Sequence, residues 1–348
     1  MAVEEANIAW AIVSASKLAQ KSLPVPTPGP NQALIRITAV ALNFRDHLIL
    51  HHNPAYPLKA AAGLIACSDG AGKIAAAGPS SKWSNRIGTS VIVHISTWLD
   101  GDFCDNYRLE SSLGGGDVNG TLTRYLVLDD ERVLEAPRGL NDAESASLVT
   151  AGLTAYNALF EAPGGFAKPA KGVTVLTQGT GGVSCFAIQM AAAAGATVIA
   201  TSSTDAKLEI AKTLGATHVV NYRKTPGWAD EVLRITNGRG VDHVIEVGGS
   251  ATIEESLRST RPGGLVSVMG ILTEAKQTDL IPLILYGAKT IRGILGAGSK
   301  AMNERFVEFV EKHQIHPVVA KVYEFEQAEE AFARLEKQSE IGKIVIKV

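Results

Sequence analysis

The run Thr177-Gln178-Gly179-Thr180-Gly181-Gly182-Val183-Ser184 carries glycines at a spacing that can hold a dinucleotide diphosphate. Gly179 permits a tight turn, and Gly181 lets the backbone approach the diphosphate. The helix that follows points its positive end at the phosphate charge. Thr180, Gly182 and Val183 are counted with them as cofactor contacts. Ser184 stands where the fingerprint has its third glycine, a departure that a small residue tolerates. A glycine-rich turn without a ligand is the plainer alternative. A strand pattern before the run and a helix pattern after it favour the nucleotide. An NAD site usually places a carboxylate at the end of the next strand, about 20 residues on. Here that position reads Thr201-Ser202-Ser203. The hydroxyls of Ser202 and Ser203, with Lys207 close by, suit a 2'-phosphate. Asp205 is the nearest acid, but it reads as a first-turn helix residue favoured by the dipole. Tyr222 and Arg223 end the following strand and add a hydroxyl and a cation. The expected cofactor is therefore NADP(H).

Other chemically capable residues are scattered. Cys67, Cys104 and Cys185 lie far apart, which fits neither a disulfide framework nor a CxxC metal pattern. A reducing compartment, the cytoplasm, is expected. Asp46, His47, His51 and His52 form a local group in which His47 and His51, one helical turn apart, could share a metal. The plainer reading is a surface helix with solvated imidazoles, and no metal is expected. Tyr56 and Tyr107 are possible proton donors.

The elements that position these residues follow from the pattern. Hydrophobic residues make up 46% of the 348 and charged residues 20%, enough apolar material for a sizeable core. A formal net charge of -2 argues against nucleic acid and anionic membranes as partners. The acidic start Ala2-Val3-Glu4-Glu5 has no basic n-region, so no signal peptide is expected. Val173 to Thr204 carries no charge, yet its glycines and changing periodicity suit a buried strand, a turn, a helix and a second strand better than a membrane span. Residues 1–129 are mostly short strands with Gly/Pro turns, among them 33–40, 70–78, 90–94 and 125–128, and a long loop spans 97–119. Asn141 with Glu144 forms a capping-box pattern that opens a helix. Beyond it strands and helices alternate, which predicts a parallel, doubly wound sheet.

Several runs together resemble the medium-chain dehydrogenase/reductase superfamily, and more closely its zinc-independent, quinone-oxidoreductase-like branch. They are Asn43-Phe44-Arg45-Asp46, Cys67-Ser68-Asp69-Gly70, Ala151-Gly152-Leu153-Thr154, the glycine loop, Val219-Val220-Asn221-Tyr222, Gly240-Val241-Asp242, Arg261-Pro262-Gly263-Gly264 and Gly342-Lys343-Ile344-Val345. The resemblance runs nearly end to end and implies an α/β protein. A GroES-like β catalytic domain (1–129 and 315–348) would enclose a Rossmann domain (130–314), with the nicotinamide in the cleft between them. It implies a homodimer, although the sequence leaves oligomeric state open. It also implies cofactor contacts from Asn43, Thr154, Val247, Gly270, Ile271, Leu295 and Gly296, with Lys343 near the adenosine phosphates.

Zinc-using relatives supply Cys, a His-Glu pair and a later Cys or His. The matching positions here are Asn43, Ser68-Asp69 and Gly152-Leu153, which make no Cys/His-rich sphere. Without a zinc Lewis acid, conjugate reduction of an enone, enoyl group or quinone needs the least help. Asn43 is the candidate for positioning cofactor or acceptor oxygen, and Arg45, Asp46 and Tyr56 are the other catalytic candidates. Asp46 and Asp69 are equally readable as buried structural carboxylates. Trp98 and Phe103 are expected to wall the substrate pocket. Tyr286 is expected to line the cleft or a subunit interface. The expected partner is a small electrophilic substrate. A zinc-free alcohol dehydrogenase or carbonyl reductase, and a non-catalytic NADPH sensor, remain alternatives.

Overall fold

The computed structural model describes residues 6–101, 107–274 and 276–348. The chain divides into two compact units, Met1–Leu153 with Gly298–Val348, and Thr154–Ala297. In chain order the first unit contributes β1 (Asn7–Ser14), β2 (Lys17–Leu23), β3 (Gln32–Ala41), α1 (Phe44–Leu50), β4 (Leu64–Ile65), β5 (Asp69–Ala77), β6 (Ser90–Val93), β7 (Tyr125–Asp129), β8 (Val133–Glu135) and α2 (Asp142–Ser147). Asn141 and Glu144 close the reciprocal capping box at the start of α2. A π-helical turn, Leu148–Gly152, follows.

The second unit holds α3 (Leu153–Phe160, but for its first residue), β9 (Thr174–Gln178), α4 (Gly182–Ala193), β10 (Thr197–Ser202), α5 (Asp205–Thr213), β11 (His218–Asn221), α6 (Trp228–Ile235), β12 (Val241–Glu246), α7 (Ile253–Ser259), β13 (Thr260–Val268), α8 (Ile281–Leu285) and β14 (Thr290–Gly293). The tail returns to the first unit with α9 (Lys300–His313), β15 (Val319–Glu324), α10 (Ala328–Glu336) and β16 (Lys343–Lys347).

In the second unit the strands run in the order β11-β10-β9-β12-β13-β14, and every pairing is parallel. This is the doubly wound order in which strand succession reverses between the first and fourth strands, here β9 and β12. Its core joins Leu176, Ile199, Val244 and Val266 on the sheet to Trp228, Val232, Ile253 and Leu257 on the helices. The charge-free run 173–204 is β9, α4 and β10. Among the described residues no helix is long and apolar enough to cross a membrane. The sequence pattern starts the fifth strand at Leu265, whereas β13 begins at Thr260. A register shift between Val241 and His243 lets Pro262 and Gly263 ride on the strand.

The first unit is built on a seven-stranded sheet with the path β15-β16-β3-β5-β6-β8 and β7 paired to β3, beside a three-stranded sheet β2-β1-β4. The hairpin of β1 and β2 falls in a stretch the sequence pattern leaves undefined. The units also divide elsewhere than at the expected 129/130 and 314/315. Residues 130–153 pack with the first unit because β8 pairs with β6, and α9 does so through Lys300 N to Trp98 O (2.9 Å) and Arg138 N to the Glu311 carboxylate (2.9 Å). The change from strand-rich to helix-rich texture near 130 marks a change of element type, not of core.

Candidate functional site

The glycine loop of the second unit has the geometry its sequence implies. Gly179 adopts φ +71 and donates its N–H to Thr201 O at 2.7 Å. Gly181 is the N-cap of α4. A Cβ at either glycine would meet no protein atom within 4 Å. Packing therefore does not require glycine at 181, whereas close approach of a diphosphate to this twelve-residue helix would. Ser184 in the third glycine position donates Oγ to Gln178 O at 2.6 Å, which locks the loop onto the strand end.

A residue that sequence reasoning passed over holds this region together. The carboxylate of Glu246, at the end of β12 and fully buried, accepts from Gly248 N (2.7 Å), Gly249 N (2.9 Å), Thr252 Oγ1 (2.7 Å), Gln178 Nε2 (2.6 Å) and Ser256 Oγ. Gln178 Oε1 in turn accepts from Val247 N (3.2 Å). The strand ends at the reversal point are thereby tied into one polar network. A Glu ending a strand before Val-Gly-Gly is the signal that could have found it.

Several of the expected cofactor residues lie at the carboxyl ends of these strands. Ser202 ends β10, its Oγ lying 3.5 Å from Thr180 Oγ1, and Ser203 follows it. Tyr222 follows β11 and is half-exposed, and Lys207 lies in the first turn of α5. Asp205 is engaged by Asn221 Nδ2 (2.7 Å) and Lys224 Nζ (2.5 Å), and these partners hold its carboxyl below the usual range. Ile271 and Leu295, in the loops after β13 and β14, are half-exposed, and Gly270 packs on Val247 so tightly that a Cβ would meet Val247 O at 2.2 Å. Gly296 takes φ +67, and Thr154 is buried in α3. A separate cavity of about 310 Å³, lined by Thr174, Thr197, His218 and Arg239, lies at the opposite, amino ends of the strands.

In the first unit, five remote segments meet around two buried carboxylates. Asp46 caps its own helix by accepting from Asn43 N at 2.8 Å. Arg45 Nη1 reaches Asp46 Oδ1 at 3.4 Å and donates to Leu113 O at 3.1 Å, while Nη2 donates to the Tyr56 hydroxyl at 3.2 Å. Burial pushes Asp46 up to about 6 against the pull of Arg45. The run Gly114-Gly115-Gly116 packs here: a Cβ on Gly115 would meet Arg45 Nη2 at 2.8 Å and the Tyr56 hydroxyl at 3.0 Å. Asp69 Oδ1 accepts from Ser68 Oγ (2.8 Å) and Thr150 Oγ1 (2.5 Å), and Oδ2 from Thr150 N (3.0 Å). That threonine sits on the π-helical turn, a local distortion often found at functional sites.

Lys343 corrects one expectation. Its ammonium is not presented to a phosphate. It is buried, donates to Leu42 O and Asn43 Oδ1 at 2.6 Å each, and lies 3.7 Å from Asp69. Burial lowers its pKa, with Asp69 and Asp46 opposing. Asn43 is thus held by its oxygen, while its Nδ2 is buried without a partner. An orphan donor of this kind costs roughly 1–3 kcal/mol, and an incoming oxygen acceptor would recover it.

Trp98 corrects another. It does not wall an open pocket but is 2% exposed, with its indole N–H donated to Asp100 O at 2.9 Å and its own carbonyl 2.9 Å from His94 Nε2. It anchors its loop. Phe103 lies outside the described residues. Tyr107 is buried with its hydroxyl 2.9 Å from Ser112 Oγ, and burial raises its pKa. Tyr286 is 86% exposed beside Ile281 and Leu285 on α8. The donors around Asn43 and Asp69 are an amide, two carboxylates, hydroxyls, an ammonium and one buried thiol, Cys67, whose pKa is pushed well up by burial and by Asp46 and Asp69. They do not fit a tetrahedral zinc built from Cys and His, and Lys343 already brings a positive charge to Asp69.

The comparisons agree with this architecture. Residues 29–138 match the alcohol dehydrogenase GroES-like domain, and residues 182–312 match the family described as zinc-binding dehydrogenase. The chain is 42% identical over 324 residues to a zinc-type alcohol dehydrogenase-like protein of Schizosaccharomyces pombe, covering 92% of this chain and 91% of that protein. A solved putative alcohol dehydrogenase from Sinorhizobium meliloti superposes with a TM-score of 0.90 at 33% identity over the whole of both chains. A second solved structure, that of an NAD-dependent alcohol dehydrogenase, gives a TM-score of 0.85 at 30% identity, covering 98% of this chain and 99% of its own. The chain belongs to the medium-chain dehydrogenase/reductase superfamily and is an oxidoreductase of its zinc-type alcohol dehydrogenase-like family.

Proposed function

We propose that the chain is an NADP(H)-dependent reductase that saturates an activated C=C in an enone, enoyl group or quinone without zinc, as the quinone-oxidoreductase-like branch does. The observation that carries this reading is the unpartnered Asn43 Nδ2 in a site whose donor set does not suit zinc. The nicotinamide, when bound, provides a hydride for the electron-poor carbon. Asn43 Nδ2 donates to the enolate oxygen as negative charge develops there, in the manner of an oxyanion donor. Lys343 and Leu42 fix that amide by holding its other end. Tyr56 delivers the proton, its hydroxyl oriented by Arg45, and Asp46 orients Arg45. The glycine loop receives the diphosphate. Ser202, Ser203, Lys207 and Tyr222 take the 2'-phosphate, a reading supported by the lack of a free carboxylate at the end of β10. The exposed Ile281, Leu285 and Tyr286 suit a homodimer interface.

A second reading, zinc-free carbonyl reduction or alcohol oxidation, is favoured by the names of the relatives. Metal-stripped protein incubated with NADPH and a panel of enones, quinones and aldehydes separates the two. The expected product is the saturated ketone from the enone. Alcohol from the aldehyde alone would overturn the proposal in favour of the second reading. Cofactor binding without turnover across the panel would overturn it in favour of a sensor.

A further inference from the structure

Away from the polar cluster just described, α1 and α10 bring a second set of donors together. His47 and His51, one turn apart on α1, and Glu336 at the end of α10 offer ligand atoms that all lie within 4.8 Å of one another. The two imidazole centroids are 4.4 Å apart and tilted by 56°. The site is supported. Ser16 Oγ lies 2.6 Å from His51 Nδ1, and Ser16 N donates to Leu50 O at 2.8 Å, so the β1–β2 hairpin turn is tied to the end of α1 and holds the ring. In the tautomer that donates from Nδ1, Nε2 carries the lone pair, the outer-shell arrangement usual for a ligating histidine. The ring of His47 is steadied from the other side by Phe44, whose centroid is 5.6 Å away. A cavity of about 140 Å³ adjoins the group, lined by Ser16, His51, Glu329, Phe332 and Glu336, with room for waters to complete a coordination sphere.

We propose that His47, His51 and Glu336 bind a divalent transition metal, zinc above all, in an open site that clamps α1 to α10. Two imidazoles and a carboxylate are a donor set that zinc accepts with water in the remaining position. The site is chemically unrelated to the Asn43 and Asp69 region. Its effect reaches there mechanically, because α1 also carries Asn43 as its N-cap, and Arg45 and Asp46. Magnesium and calcium, which prefer all-oxygen spheres, are disfavoured.

The test uses untagged, chelator-stripped protein titrated with zinc alone, with stoichiometry read by calorimetry and elemental analysis and thermal unfolding followed in parallel. One zinc per chain and a raised Tm are expected. His47→Ala/His51→Ala should lose the equivalent and the Tm rise, and Glu336→Gln should weaken binding at least tenfold. Ser16→Gly, which suits the φ of 61 at that position, should weaken it by about tenfold through the lost support of His51. The metal-free variants should match the stripped parent in circular dichroism, so that a folding defect is separated from a lost ligand. No binding by the parent, or equal stoichiometry and affinity in the double-histidine variant, would overturn the proposal.

Discussion

The two units build their polar sites in opposite ways. In the second unit the network around Glu246 is closed: each carboxylate oxygen is met by donors from the neighbouring loop and helix, and the adjoining glycine loop presents backbone at Gly179 and Gly181. In the first unit the network around Asp46, Asp69 and Lys343 is assembled from side chains that are remote in sequence, and it leaves one buried donor unmet, Asn43 Nδ2. A closed network serves rigidity, and an open one serves an absent partner. On the proposed reading, this contrast corresponds to a division of labour, with diphosphate binding by backbone in one unit and chemistry by side chain in the other.

The contrast can be broken most severely at Glu246. Glu246→Ala would leave Gly248 N, Gly249 N and Gln178 without their acceptor, and it should lower unfolding stability by at least about 3 kcal/mol in denaturant titration. Glu246→Gln should cost less, because one oxygen acceptor survives. A loss below about 1 kcal/mol for the alanine variant would show the network to be dispensable.

Each unit also buries a histidine that stays neutral. Burial lowers His94 in the first unit to about 4 and His243 in the second to about 3. Both values lie below the unfolded value of 6.5, so each contributes stability that is present above 6.5 and is lost as pH falls towards the folded value. Asp46 runs the other way, because its rise from 3.8 to about 6 adds stability on acidification through that window. Two losses against one gain leave stability declining as pH falls from 6 to 4. Denaturant titrations at several pH values check this, and His243→Gln should flatten the slope.

How much of this was legible differs between the units for the same reason. The glycine loop, the alternating strands and helices and the capping box of Asn141 are local patterns, and local patterns survive in one dimension. Glu246 was missed because its donors come from 178 and from 248 to 256: the Val-Gly-Gly that follows marks the strand end, but only packing brings Gln178, Thr252 and Ser256 to the carboxylate. In the first unit Asn43 and Asp69 were named only through family resemblance. Their partners Thr150, Leu113 and Lys343 are brought in by tertiary packing. Trp98 and Lys343 were misplaced because a sequence shows residue type but not whether a side chain has already found a partner.

A smaller effect sharpens the cofactor side. Lys207→Ala should raise the KM for NADPH about tenfold and leave that for NADH nearly unchanged, a loss of about 1.4 kcal/mol. Equal change for both cofactors would remove Lys207 from the 2'-phosphate. The smallest expected effect is at Gly115. Gly115→Ala puts a Cβ against the ends of Arg45 and Tyr56, which can shift, and at 3.0 Å from the Ser112 carbonyl oxygen, which must give by a few tenths of an ångström, so stability should fall by about 1 kcal/mol while turnover falls further.

The most direct measurement is Asn43→Ala, compared with the parent for NADPH affinity by fluorescence titration and for single-turnover reduction of an enone. The division of labour predicts unchanged cofactor affinity and a chemical step slowed roughly 10²-fold, as for loss of one oxyanion donor. An unslowed chemical step, or a loss of NADPH affinity that accounts for the whole effect, would contradict it.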